Sequence, residues 1–160
     1  VHRISPNSWQ ATTLDFANKN TANNYSRTIL FSVSHFQPFG FDVQSIRIKK
    51  EGKQNFKYQI NSQLTAGNQE LYNNLDIKVI RNWQIINESK LSDFSFNSEI
   101  SQEKEDLIFV LSLNTDNESL INQSSTFNFI IKTTTNLNGE QMAFDDQEIL
   151  ENQISTGNWF

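Results

Sequence analysis

The side chains that could do chemistry are few. The imidazoles are His2 and His35. Neither stands in a His-Glu-x-x-His spacing, so a zinc peptidase site of that form is absent. His2 lies near one end of the sequence and His35 at a strand end before Phe36, which argues against a Ser-His-Asp triad. No glycine-rich phosphate loop is present. With no cysteine there is no thiolate nucleophile, thiolate metal site or disulfide. Carboxylates cluster at Glu99, Glu103, Glu105 and Asp106, and again at Asp145, Asp146, Glu148 and Glu151. Calcium suits such oxygen-rich loops, but the Asp-x-Asp-x-Asp-Gly spacing is missing, so solvated acidic loops are the expectation. Trp9, Trp83 and Trp159 have the chemistry of a sugar-stacking platform; the competing use is core or interface packing, because Trp buries a large area. Asn24, Asn87, Asn117 and Asn122 open Asn-x-Ser sequons, as chance allows in so Asn-rich a chain. Neither an enzyme nor a metal or cofactor site is expected.

The elements that must position these residues follow from composition and period. At 160 residues the chain suits one domain with a real core. A net charge of -5 argues against nucleic acid as a partner, since phosphates need a basic face. The densest basic run, Arg47-Ile48-Lys49-Lys50, is cut off by Glu51 and reads as a solvated strand end. No apolar stretch is long enough to span a bilayer as a helix. The chain opens on Val1 rather than Met, which implies a processed product. Phe is overused at 13, while Gly and Pro number only 5 and 2, so Asn is expected to do the turn work.

The dominant period is two. Tyr25, Arg27, Ile29, Phe31 and Val33 make one face, Phe56 to Leu64 a second, Leu107 to Leu113 a third and Phe127 to Thr133 a fourth. Weaker strands are Phe41 to Lys49, Leu75 to Trp83 and Phe94 to Ile100. Gln37-Pro38-Phe39-Gly40 is a turn, and Lys50 to Lys53 predicts a hairpin between Ile48 and Phe56. Asn68 to Asn74 and Asp116 to Asn122 read as short helices, the second with Asp116 as cap. Asp145 to Glu151 fits either a helix start or an extended tail. The sum is an all-β fold, a jelly-roll-like antiparallel β-sandwich with short helical insertions.

Asn7 to Phe16 is a strand by composition, yet no turn folds it back onto a neighbour. The polar stretch Asn18 to Asn24 follows as a tether. Residues 1–24 therefore read as an N-terminal strand and linker, and 25–160 as the sandwich. Asn152 to Phe160 echoes the rhythm of the N-terminal strand.

Several motifs carry a family resemblance. Trp9-Gln10-Ala11-Thr12-Thr13-Leu14-Asp15-Phe16 resembles the opening F-x-A-G-T-L-D-L strand of camelysin/TasA-type secreted proteins, with Thr12 in the place of the family's Gly. Ile46 to Gly52 followed by Phe56-Lys57-Tyr58 resembles the family's I-x-N-x-G-x-x-x-F-x-Y hairpin. Leu107 to Leu113, then Phe127-Asn128-Phe129, resembles its closing pair of strands. Phe144 to Glu148 through Ile154 to Gly157 resembles its F-S-D-x-E … N-T-F-x-A-G motif, displaced to the end. The resemblance implies a secreted or cell-surface jelly-roll domain of a family whose best-known members build biofilm-matrix fibres. Some members are described as metallopeptidases; without a zinc motif here, that activity is not carried over.

A physical mechanism fits that implication. An open sheet edge accepts a strand from the next subunit, and a head-to-tail contact of this kind propagates into a filament. The expected donor runs from Ile4 to Phe16, with Ile4, Trp9, Ala11, Thr13, Leu14 and Phe16 as its interface residues. Ile154, Trp159 and Phe160 are a possible second interface. The expected partners are identical subunits of a fibre or pilus, with other matrix components or glycans besides. The alternative is a cell-surface module that binds carbohydrate.

Overall fold

The computed structural model describes residues 12–15, 28–50, 55–134 and 146–159. Among them are ten strands in two five-stranded sheets. In chain order they are β1 (Thr12–Asp15), β2 (Thr28–Phe36), β3 (Phe41–Lys49), β4 (Phe56–Gly67), β5 (Leu75–Arg81), β6 (Gln84–Lys90), β7 (Ser95–Ile100), β8 (Lys104–Leu113), β9 (Ser124–Thr134) and β10 (Asp146–Thr156). One sheet has the order β1-β3-β8-β5-β6 and the other β2-β10-β9-β4-β7. We call them the first and second sheets. The fold is an all-β sandwich, and each sheet carries one parallel pair at an edge: β1 on β3, and β2 on β10.

Alternation places the strands. β8 sends Leu107, Phe109, Leu111 and Leu113 inward, and β9 sends Phe127, Phe129 and Ile131 to meet them. These are the most regular apolar faces in the sequence, and they occupy the centres of the two sheets. Phe109 and Phe129 stack across the interior at 5.5 Å, and Phe94 stands edge-on to both. Where the chain passes between sheets, small elements fill the ends. Helix α1 (Gln69–Asn73) is capped by Asn68, whose Oδ1 accepts from Leu71 N, and it buries Leu71 and Tyr72. A 3-10 turn at Leu91–Asp93 carries the chain from β6 to β7 and buries Leu91. A second, Glu118–Leu120, is capped by Asn117 rather than Asp116.

Several local expectations are corrected. β3 and β4 lie in different sheets, so the connection after Lys50 crosses the sandwich and does not close a hairpin. Residues 145–151 resolve toward the extended alternative from Asp146 onward, as the start of β10. β6 was not foreseen as a strand. On β2 the expected face breaks: Leu30 and Phe31 are both buried while Ile29 is 62 % exposed. The cause is the register shift between Glu151 and Gln153, which sets Leu30 and Phe31 against the single residue Asn152.

Candidate assembly edge

The edge of the first sheet is built on β3. Ile46 and Ile48 point into the core, and β8 pairs with β3 along its whole length on one side. On the other side β1 pairs in parallel over four residues, Thr12 opposite Ile46 through Asp15 opposite Lys49. The period of two puts Thr13 on the outer surface and Leu14 inside beside Ile48, where it is 3 % exposed. Leu14 is thus one anchor of the strand, and among the described side chains of β1 it alone reaches the core.

Charged groups frame this edge. On the outer surface the Arg47 guanidinium grips Asp106 in a fork, Nε to Oδ1 at 2.7 Å and Nη2 to Oδ2 at 3.1 Å. That hydrogen bonding lowers the Asp106 carboxyl and raises the Arg47 guanidinium from their ordinary values. Inside, at the same end of the sandwich, Glu105 of β8 joins the two sheets. It accepts from Arg81 Nη1 at 2.6 Å and from the hydroxyl of Tyr58 on β4, and Arg81 Nη1 also donates to Ser98 Oγ on β7 at 2.9 Å. Burial, followed by the bond to Glu105, pushes the Tyr58 phenol far above its ordinary range, so it remains a neutral donor.

The edge of the second sheet is closed differently. Between Glu151/Ile29 and Gln153/Ser32 the β2–β10 register gives two residues of β2 to one of β10. The buried side chain of Asn152 bridges the gap. Its Oδ1 accepts from Phe31 N at 2.9 Å, while Nδ2 donates to Phe127 O at 3.2 Å and to Leu150 O at 3.1 Å. Every polar atom of that amide has a partner.

The expected interface residues are distributed as follows. Thr13 and Leu14 lie in β1, whose described partner is β3 of the same chain. Ile4, Trp9, Ala11, Phe16 and Phe160 lie outside the described residues. Ile154 is fully buried in β10, so an interface built on it would require β10 to leave its sheet. Trp159 packs against the core and donates Nε1 to Phe36 O at 2.9 Å. A shared sugar platform is not formed by Trp83 and Trp159. Trp83 follows β5 at the end where β8 begins, whereas Trp159 sits by Phe36, near the end where β8 finishes.

The acidic clusters resolve into separate roles. Glu105 and Asp106 are paired as above, and among the described residues no group of three or more His, Cys, Asp or Glu is placed to hold a metal. His35 is exposed with φ +57°, its ring against Gly157. No described helix is long and apolar enough to cross a membrane. Asn152 and the Tyr58–Glu105–Arg81 bridge were not singled out in the sequence. A carboxylate at the inward parity of β8, two before Leu107, was the available signal for the bridge.

These features define a class: an all-β sandwich of two mixed sheets whose N-terminal strands close one side by parallel pairing. No family model matches the chain, and no curated protein matches it in sequence. Among solved structures it is similar to the ASH/PapD-like domain of human CEP192 (PapD-like domain 7), at 11 % identity and TM-score 0.40 over 79 % of this chain and 80 % of that one. It is also similar to the CupB6 tip adhesin from Pseudomonas aeruginosa, at 9 % identity and TM-score 0.39, over 91 % of this chain and 42 % of the adhesin.

Proposed function

We propose that this chain is a secreted structural subunit that assembles head-to-tail with copies of itself into extracellular fibres of a biofilm matrix, its N-terminal strand completing the first sheet of a neighbour. The observation that carries the reading is β1 itself. It is a four-residue edge strand in parallel pairing with β3, and Leu14 fits beside Ile48. Backbone hydrogen bonds and a side-chain pocket are the same whether the strand comes from its own chain or the next. Residues 16–27 join β1 to β2, and about 12 residues reach up to roughly 40 Å when extended, enough to deliver the strand to an adjacent copy. The resemblance to camelysin/TasA-type proteins supports the secreted, fibre-forming setting.

The chain has no cysteine, so engineered thiols report pairing cleanly. Asp15 and Lys49 are Cα partners, and adjacent strands about 4.8 Å apart lie within disulfide reach. Asp15→Cys protein mixed with Lys49→Cys protein is expected to give disulfide-linked dimers on oxidation, and the double variant a ladder of oligomers on a non-reducing gel. Closure only within single chains in the double variant, with no dimer in the mixture, would refute donation between subunits.

A further inference from the structure

The outer face of the second sheet is built mainly of amides and hydroxyls, and neither sheet edge uses it. Tyr58 and Ile60 of β4 and Phe127, Phe129 and Ile131 of β9 point into the core, so the residues between them point out. Register sets the outward residues in rows that run across the strands. One row is Asn97 on β7, Gln59 on β4, Lys132 on β9 and Gln147 on β10. The next is Ser95, Asn61, Ile130 and Ile149. A third is Gln63, Asn128 and Glu151, with Ile29 of β2 beyond. Thr126 and Gln153 follow.

The amides of these rows are spare. Elsewhere amides serve the fold: Asn68 and Asn117 cap helical turns, and Asn152 bridges a register shift. Among the described residues, the side chains of Gln59, Asn61, Gln63, Asn97, Asn128 and Gln153 make no hydrogen bond within the chain. Each presents a carbonyl acceptor and an amide donor to whatever lies on the sheet. The outer face of the first sheet is different, with charges that pair across it: Arg47 with Asp106, Lys78 with Glu88 and Lys90 with Asp76. On the second sheet the few charges cancel. Lys57 is the Cα partner of Glu99, and Lys132 and Glu151 complete the set. His35 lies at the margin, near the end of β2.

The chemistry of the rows selects the occupant. Nucleic acid needs a basic stripe, and protein interfaces centre on aromatic, Met or Arg anchors; the rows hold neither. A neutral polysaccharide matches them. Its hydroxyls donate and accept at once, as an amide does, and its carbon-bound hydrogens form apolar patches between them. Ile130 and Ile149, Cα partners in the middle of the face, supply an apolar floor for those patches, and Ile29 extends it with 62 % exposure. We propose that the outer face of the second sheet binds a neutral polysaccharide, laid along the rows across β7, β4, β9 and β10. Three strand spacings of about 4.8 Å make this surface roughly 14 Å wide, so one subunit holds a short stretch of the polymer. Such a contact is weak singly and gains strength when several subunits share one polymer. The surface uses neither Trp83 nor β1, both of which belong to the first sheet, and it does not rest on strand donation.

Affinity electrophoresis of the intact chain in native gels tests it. The neutral probes are hydroxyethyl cellulose, mixed-linkage β-glucan, dextran and galactomannan; alginate and double-stranded DNA are the charged ones. Wild type is expected to be retarded by at least one neutral probe and by neither charged probe. Gln63→Ala/Asn128→Ala/Gln153→Ala leaves the net charge unchanged, and substitutions on an exposed face leave stability close to wild type, which a melting curve checks. Its affinity for the retarding probe is expected to fall at least about 10-fold, as for three hydrogen bonds at the low end of their range. Gln59→Ala/Asn97→Ala, in the neighbouring row, is a second test with an expected fall of at least about 5-fold. Trp83→Ala and the oxidised, internally closed monomer of the Asp15→Cys/Lys49→Cys variant are expected to be retarded as wild type is. The proposal is overturned if no neutral probe retards wild type, or if a charged probe retards it as strongly as the neutral ones. It is overturned equally if both amide variants bind as tightly as wild type, or if Trp83→Ala abolishes the retardation.

Discussion

Replacing Asn152 by alanine tests the account of how the second sheet is closed. The amide is fully enclosed between β2, β9 and β10, and it accepts from Phe31 N and donates to Phe127 O and Leu150 O. Because β2 places two residues against Asn152 alone, a side-chain oxygen takes the place of a ladder carbonyl for Phe31 N–H. Truncation leaves that N–H without its partner, at about 1–3 kcal/mol, and removes two further hydrogen bonds of about 1 kcal/mol each, so the expected loss is roughly 3–5 kcal/mol. For a chain of this length about 2–4 °C of melting temperature goes with each kcal/mol, so a fall on the order of 10 °C is expected by calorimetry. Asn152→Asp adds a check on sign. The carboxylate keeps the acceptor for Phe31 but turns a buried charge toward two carbonyl oxygens, so its folded pKa is raised. A group with a raised folded pKa contributes stability below its unfolded value, near 3.9 for Asp, that is lost as pH rises through the folded value. The Asp variant will therefore be closest to wild type in acid and fall behind it toward neutrality. A loss below about 1 kcal/mol for alanine, within the range of ordinary surface changes, would refute the reasoning.

Further expectations follow from other contacts. Gly67 has φ +94°, and a Cβ there would lie 2.4 Å from Ser124 O and 2.9 Å from Ser125 Cα, so Gly67→Ala is expected to cost upward of about 2 kcal/mol in urea unfolding. The Tyr58 phenol is held above its ordinary value of 10.0, so stability present at lower pH is lost as pH rises past 10. Tyr58→Phe is expected to flatten that alkaline decline, while giving up about 1–2 kcal/mol at neutral pH for the lost bond to Glu105. Asp106 is lowered, so its contribution is present above the unfolded value and lost as pH falls through the folded one. After solvent screening it is no more than about 0.5 kcal/mol, and acid titration of Asp106→Asn alongside wild type checks this.

Much of the fold could be read from periodicity, and the failures have physical causes. β8 and β9 were legible because Leu107 to Leu113 and Phe127 to Ile131 alternate without a break. β10 was legible only in part, as an extended alternative and an echo of the N-terminal strand: Leu150, Asn152 and Ile154 share the inward face, and the polar Asn152 interrupts the apolar pattern because it serves a register shift rather than packing. Its acidic start, Asp146 to Glu151, also suited a helix. β6 was hidden because an edge strand needs only a shallow inner face, and Gln84 to Lys90 supplies mainly Ile86 to the core. Pairing is a non-local property, so nothing in Ile48 or Phe56 disclosed that β3 and β4 belong to different sheets. At the site, Leu14 was named together with Thr13, and only the register on β3 separates them, Leu14 turning in beside Ile48 and Thr13 out.

The two sides of the sandwich differ in how they are closed, and the difference bears on which strand the proposed assembly would exchange. On one side the chain passes from β6 to β7 through the turn at Leu91–Asp93, so the edges of the two sheets are covalently joined and Leu91 plugs the gap. On the other side both edge strands, β1 and β2, come from the N-terminal part of the chain, and both pair in parallel. They are not held alike. β2 buries Leu30, Phe31 and Phe36, and its pairing is completed by Asn152. At about 1.5–3 kcal/mol per buried side chain its removal costs upward of roughly 5 kcal/mol, comparable with the whole stability of a small domain. β1 places Leu14 in the core, worth about 2–3 kcal/mol on the same scale. Under the proposed donation β1 would give up that contact in its own sheet, and a copy from a neighbour would restore it. The hierarchy gives a direct order of events: in native-state hydrogen exchange the amides of β3 at Ile46 to Lys49 that face β1 are expected to open at lower free energy than those of β2 facing β10. Equal protection at the two edges would mean that β1 is as firmly built in as β2, and donation between subunits would lose its physical basis.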